Sequence, residues 1–288
     1  MTNIQGILDQ HRRWLSQADG MVSQELEFLE EDLASDSLQG LDNVSDSLAM
    51  LAVFYGIQGT VAVSEADSDG WGLVSRSILY RYWALMLKAK SFSNTRFLSG
   101  IKTVPNLTNQ LSNAGCLLAA FIAADRRDLA ASVADVLVGM LCVPGAVDAA
   151  RIKGRRFEPF MVWLYSEYSN TQMPLDIEPA QWGAYAQVVH QWPQADTMGS
   201  VIVELEKYHL ANIDDKGGAW DPEFKHSPFD VFAIEVGALY RVRQQLGLQT
   251  PAVDTRLLGG AETLLGNLTF TPDDVIERVE NAYNTFFS

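Results

Sequence analysis

An all-α fold is predicted for this 288-residue chain by three observations. Apolar residues recur at helical spacing along nearly the whole length, and strand-type alternation is sustained nowhere. Several periodic stretches open on a Ser/Thr-Pro-acid signal, which supplies a cap, a residue preset for the first helical position and a charge suited to the helix dipole. About ten to twelve helices, packed as irregular helical hairpins, account for the length. No fixed period of the solenoid kind recurs, and glycine and proline cluster at no single point. A single domain over 1–288 follows, with the acidic residues 1–70 as a candidate subdomain.

The elements read in order as follows. Val22, Leu26, Leu29 and Leu33 form one stripe of an amphipathic helix whose outer face carries Glu27, Glu30 and Glu31. Val44, Leu48, Leu51 and Tyr55 repeat the spacing, with Gly56 and Gly59 expected to end it. A polar loop, Ser64 to Gly70, leads to a long helix from about Leu73 to Phe92, with Val74, Ile78, Tyr82, Leu85 and Ala89 inward. Leu111 to Ala124 is apolar all round, as a central helix covered on every side would be. Asp128 opens the next helix, and Pro144-Gly145 stops it. Phe157 to Tyr168 is aromatic-rich, and Asn170 to Met173 is a loop. Glu178-Pro179 opens a helix carrying Trp182, Tyr185, Val188, Val189 and Trp192. Ser227-Pro228-Phe229-Asp230 opens one that should run to Gly247, a suitable residue for the left-handed position after a helix. Thr271-Pro272-Asp273-Asp274 opens the last, and Thr250-Pro251 is a weaker copy.

The longest apolar run, Cys116 to Ala124, is nine residues, so no membrane span is expected. Met1 to Gly6 has neither a basic nor an apolar region of the secretory kind. The only cysteines, Cys116 and Cys142, lie in apolar helical stretches and read as buried thiols of a reducing cytoplasm.

Net charge is −15. Residues 1–70 carry 13 acids and 2 bases, residues 71–160 carry 5 and 12, and residues 161–288 carry 18 and 7. Such a surface repels phosphate, which argues against a nucleic-acid partner, and it attracts a cationic protein face. The acidity equally serves solubility. The basic run Arg151-Ile152-Lys153-Gly154-Arg155-Arg156 reads as a set of ion-pair partners for acidic neighbours rather than an anion site.

Catalytic signatures are absent: there is no nucleophile elbow, phosphate loop or dinucleotide fingerprint. Two Glu-x-x-His units, Glu206 to His209 and Glu223 to His226, have the spacing used in di-iron carboxylate sites. They lie only 17 residues apart, and the second sits between two Asp/Ser-Pro turns in what reads as a loop. No metal or other cofactor is therefore expected. Asp214, Asp215 and Asp221, with Trp220 beside them, lack the calcium-loop pattern and read as a solvated turn or a recognition loop.

The run Ser227 to Glu235 closing on Leu246-Gly247-Leu248, together with Tyr82-Trp83-Ala84-Leu85 and Ala124-Asp125-Arg126-Arg127-Asp128, resembles the polymorphic-toxin immunity family called immunity protein 49. The resemblance covers pieces between about residues 75 and 250. It implies a cytoplasmic, non-enzymatic protein that neutralises a cognate toxin by direct contact. On this reading the acids Glu27, Glu30, Glu31 and Asp32 form one candidate partner-binding patch, suited to a toxin with a cationic active-site cleft. Asp214, Asp215, Trp220 and Asp221 form a second. A helical adaptor for other partners, and an all-α metal enzyme built on the Glu-x-x-His pairs, are the competing classes.

Overall fold

The computed structural model describes residues 4–18, 20–93, 106–172, 178–213 and 222–287. Among these residues there are thirteen α-helices, two 3-10 turns and no strand, so the protein is all-α. The chain divides into two compact units. A terminal unit holds Ile7–Leu107 with Thr269–Ser288, and a mid-chain unit holds Thr108–Leu268 with Met1–Gly6.

The terminal unit contains α1 (Ile4–Leu15), α2 (Met21–Ala34), α3 (Leu38–Ser64), α4 (Gly70–Ser93) and α13 (Asp274–Phe287). Its centre is the antiparallel pair α3 and α4. Ser37 caps α3 by accepting the Gly40 N–H at 3.0 Å. The helix does not end at Gly56 or Gly59, as the sequence suggests, but runs on to Ser64. Glycine costs helix stability only when nothing repays it, and here the missing side chain lets two backbones meet. A Cβ on Gly59 would lie 2.7 Å from the Val74 nitrogen, and one on Gly70 would lie 2.6 Å from the Val63 nitrogen. Further along, the Ser77 hydroxyl donates to the Ala52 carbonyl at 2.5 Å, and Lys88 pairs with Asp42 at 3.1 Å and Asp46 at 3.2 Å. Ala66, at φ 60°, closes α3 with paired turn bonds from Ala66 to Val63 and from Asp67 to Ala62.

By length and composition α3 is long and apolar enough to cross a membrane, with mean hydropathy 1.5 over its best 18 residues; half of that window is buried within the protein. Polar residues and glycines break its sequence into short apolar runs, so no single run marks it. Helix α13 begins at Asp274, later than the Thr271-Pro272 signal suggests. Asp273 is its cap, accepting the Ile276 N–H at 3.0 Å through one oxygen and bonding Tyr80 (2.9 Å) and Arg76 (3.1 Å) through the other.

The mid-chain unit contains α5 (Leu111–Ala123), α6 (Arg127–Cys142), α7 (Ala149–Ile152), α8 (Phe157–Ser169), α9 (Ala184–His190), α10 (Met198–Ala211), α11 (Ile234–Gln245) and α12 (Ala261–Asn267). Every residue of α5 is buried, as its all-round apolarity requires; α6, α8 and α11 cover it. Each Leu, Ile or Phe so buried contributes about 1.5–3 kcal/mol. Gly115 in α5 lets Phe157 of α8 approach to within 2.7 Å of where a Cβ would stand.

Four expectations for this unit need correction. Gly183, at φ 58°, splits the helix expected from Pro179 to Trp192 into a 3-10 turn (Pro179–Trp182) and α9, and Arg156 fills the space beside it. Ser227 to Val231 is a turn rather than the start of a helix. The Val231 carbonyl accepts the Leu258 N–H at 2.8 Å, and α11 starts only at Ile234. Its end is as expected, with Gly247 at φ 70° and bonds from Gly247 to Gln244 and Leu248 to Arg243. Thr250-Pro251 opens no helix. Cys116 is buried, whereas Cys142 at the end of α6 is exposed.

The linear charge pattern does not survive folding. The terminal unit draws 17 acids and 9 bases, the mid-chain unit 19 and 12. The basic middle segment is shared between two acidic bodies.

Candidate functional site

Helix α2 presents the first candidate patch. Leu29 is fully buried, while Val22, Leu26 and Leu33 are half-buried. Glu27, Glu30 and Glu31 are exposed and Asp32 is half-buried. Glu30 is engaged by the Arg278 guanidinium of α13 through both oxygens, and that contact holds its carboxyl below the usual range. Asp32 accepts the Asn43 side-chain N–H at 2.9 Å. Glu27 and Glu31 form no ion pair among the described residues and remain solvated. Between them stands Phe28, 45% exposed, which the sequence reading did not single out. Positions 24, 27, 28 and 31 share one helix face, so the aromatic ring sits within the carboxylate strip.

The second patch, Asp214, Asp215, Trp220 and Asp221, lies outside the described residues. Its flanks are fixed: the Phe224 N–H donates to the Asn212 carbonyl at 3.0 Å.

The Glu-x-x-His residues separate. Glu206, His209 and Glu223 are buried, and His226 is half-buried beside exposed Lys225. No group of three His, Cys, Asp or Glu side chains among the described residues is placed to hold a metal ion. Glu206 is bonded to the Thr255 hydroxyl and the Arg256 N–H, and burial raises its pKa. Glu223 serves α8 instead. One oxygen accepts the Arg156 and Phe157 N–H groups at 3.3 and 3.4 Å, and the other accepts the Tyr208 hydroxyl at 2.6 Å. A helix start that lacks its own side-chain cap is thus capped from another segment. Burial raises the Glu223 pKa against these bonds and the nearby Arg155, all of which lower it.

His209 Nδ1 lies 2.9 Å from Glu235 Oε1, both side chains wholly buried, and its ring stacks on Phe224 at 4.0 Å. Arg155 pairs with Glu158 at 3.2 Å and donates to the Ser112 hydroxyl at 2.6 Å. This fulfils the ion-pair reading of the basic run at that residue. The Tyr185 hydroxyl, fully buried, lies in the field of Glu235, Glu223, Tyr208 and Glu158, and burial raises its pKa well above the usual value.

The mid-chain unit therefore buries five carboxylates: Asp230 in the turn before α11, and Glu158, Glu206, Glu223 and Glu235 in its polar core. Sequence reading reached Glu206 and Glu223 but not the roles of Glu158 and Glu235. Their signal was present: each is a lone acid inside an otherwise apolar stretch, Phe157-Glu158-Pro159-Phe160 and Ala233-Ile234-Glu235-Val236.

The residues that carry the family resemblance are scaffold. Tyr82 to Leu85 are buried in α4, Leu246 to Leu248 form the α11 stop, and Asp125 accepts the Tyr168 hydroxyl at 2.6 Å at the α5–α6 corner. Comparison of the chain with known protein families, with curated proteins and with solved structures gives no match.

Proposed function

We propose that this protein acts by binding, as an immunity protein that neutralises a cognate bacterial toxin through direct contact in the cytoplasm and without turnover. The observation that carries the reading is the exposed face of α2, where Phe28 stands between the solvated carboxylates of Glu27 and Glu31. An aromatic anchor with like charges around it has the make-up of an interface hot spot directed at a basic partner. The acidity of the terminal unit, 17 acids against 9 bases, favours fast encounter with a cationic cleft. The resemblance to the immunity protein 49 family supplies the partner class.

The test is co-expression with the toxin gene encoded beside it, followed by binding kinetics. Phe28→Ala should weaken binding at least about thirtyfold, the loss expected of a hot spot of about 2 kcal/mol. The double reversal Glu27→Lys with Glu31→Lys should slow association, and the difference should shrink as salt shortens the screening length to about 8 Å. Glu30 is left out because its replacement would also unpair Arg278. Protection and kinetics like those of the parent in both variants would remove α2 from the interface. Failure of the wild type to protect against the neighbouring toxin would end the immunity reading.

A further inference from the structure

Phe28 on α2 and Met50 on α3 are the two large apolar side chains that the described residues of the terminal unit leave exposed, at 45% and 39%. They share one surface. Helices α2 and α3 are joined by Ser35 to Ser37 alone and pack as an antiparallel hairpin. Asp32 accepts the Asn43 side-chain N–H at 2.9 Å across that hairpin, which sets the two helices level at this pair. Phe28 lies one turn before Asp32 on the same edge of α2, and Met50 lies two turns after Asn43 on the facing edge of α3. At about 1.5 Å per residue, Phe28 stands about 6 Å and Met50 about 10.5 Å along the hairpin from that bond, on axes about 8–10 Å apart. Their backbone positions are therefore about 10 Å apart. Glu27 and Glu31 are exposed on the outer side of Phe28, and Asp46, paired with Lys88, lies one turn before Met50.

We propose that the edge shared by α2 and α3 is a docking surface for a basic amphipathic helix of the partner, with Phe28 and Met50 as its two apolar anchors. The proposal rests on the reading of α2 as the partner-binding face and names what that face receives. Spacing selects a helix. Apolar side chains at i and i+7 of a helix lie about 10.5 Å apart on one face, which matches the two anchors. Same-face residues of an extended strand fall at about 6.7 or 13.4 Å and miss one of them. Charge selects the sign: Glu27, Glu31 and Asp46 flank the anchors, so the rim of the incoming helix carries Lys or Arg. A second copy of this chain on the same surface would set one acidic rim against another. Anionic lipid headgroups meet the same repulsion.

The test titrates the full chain with two labelled helical peptides of about 18 residues, about five turns of helix. One carries leucines at i, i+3, i+4 and i+7 on a single face with lysines on the others; the second has the same composition with the leucines dispersed. Fluorescence anisotropy should give the first peptide about tenfold tighter binding or more, since the two differ only in the apolar stripe. Phe28→Ala and Met50→Ala should each weaken it about fivefold or more, the loss expected of an interface contact that matters. Both side chains are exposed, so both variants should fold like the parent. Val203→Ala, an exposed apolar residue of α10, should bind like the wild type. Equal affinity for the two peptides, or Met50→Ala binding like the wild type, overturns the proposal. So does a dimer in sedimentation that Phe28→Ala or Met50→Ala dissociates, which would assign the surface to a second copy. The toxin separates this proposal from the immunity reading. Peptide results as expected with no protection against the neighbouring toxin would end the immunity reading alone. Weakened toxin binding by Phe28→Ala but not by Met50→Ala would end the two-helix surface alone.

Discussion

Replacing Glu223 tests the architecture of the polar core most directly. Glu223→Ala leaves three donors without an acceptor: the Arg156 and Phe157 N–H groups that open α8, and the Tyr208 hydroxyl. Loss of a helix cap costs about 1 kcal/mol, and loss of a bond to a carboxylate costs about 1.5–3 kcal/mol. The expected destabilisation is about 2–3 kcal/mol, since removing a buried carboxyl also relieves some desolvation. Glu223→Gln keeps a carbonyl oxygen for the two N–H groups and should cost less than about 1.5 kcal/mol. The two variants also differ from the wild type in pH dependence. A carboxyl whose folded pKa lies above its ordinary value of 4.5 favours the fold when protonated. Its favourable contribution is complete below pH 4.5 and is lost as pH rises through the folded value. The Gln variant lacks this decline, so its stability relative to wild type should improve from pH 4 to pH 8. Urea unfolding at several pH values, followed by tryptophan fluorescence and circular dichroism, measures both effects. Parallel pH profiles for wild type and Glu223→Gln, or a loss below about 1 kcal/mol for Glu223→Ala, would refute the reasoning.

Two further outcomes are expected. Gly59→Ala and Gly70→Ala each drive a methyl group into the facing backbone and should cost about 1–3 kcal/mol, whereas Gly72→Ala, with nothing within 4 Å, should stabilise by about 0.5–1 kcal/mol; thermal unfolding of the three variants checks the ranking. Arg243 is fully buried, and its guanidinium serves the carbonyls of Trp192, Gln194 and Gln249 and the Thr250 hydroxyl, so Arg243→Met should cost about 2–4 kcal/mol by urea titration, with Arg243→Lys recovering less than half because an ammonium cannot fork.

The all-α class was legible because burying one side of a helix imposes a 3.6-residue period that side chains alone display. The central α5, the long α4 and the Gly247 stop followed from that period and from local backbone preference. The starts of α9, α11 and α13 did not, because a Pro-containing signal competes with tertiary bonds that sequence does not reveal. The Val231 carbonyl is committed to Leu258, and Asp273 answers to Tyr80 and Arg76 as well as to its own helix. The acidic face of α2 was likewise legible, since exposure follows from periodicity. Which of its carboxylates stay solvated was decided by the fold, through a residue 248 positions away from Glu30. Charge and hydropathy are local properties that sequence determines. The pairing of Glu158, Glu223 and Glu235 with Arg155, Tyr208 and His209 depends on which helices meet, and only the tertiary structure decides that.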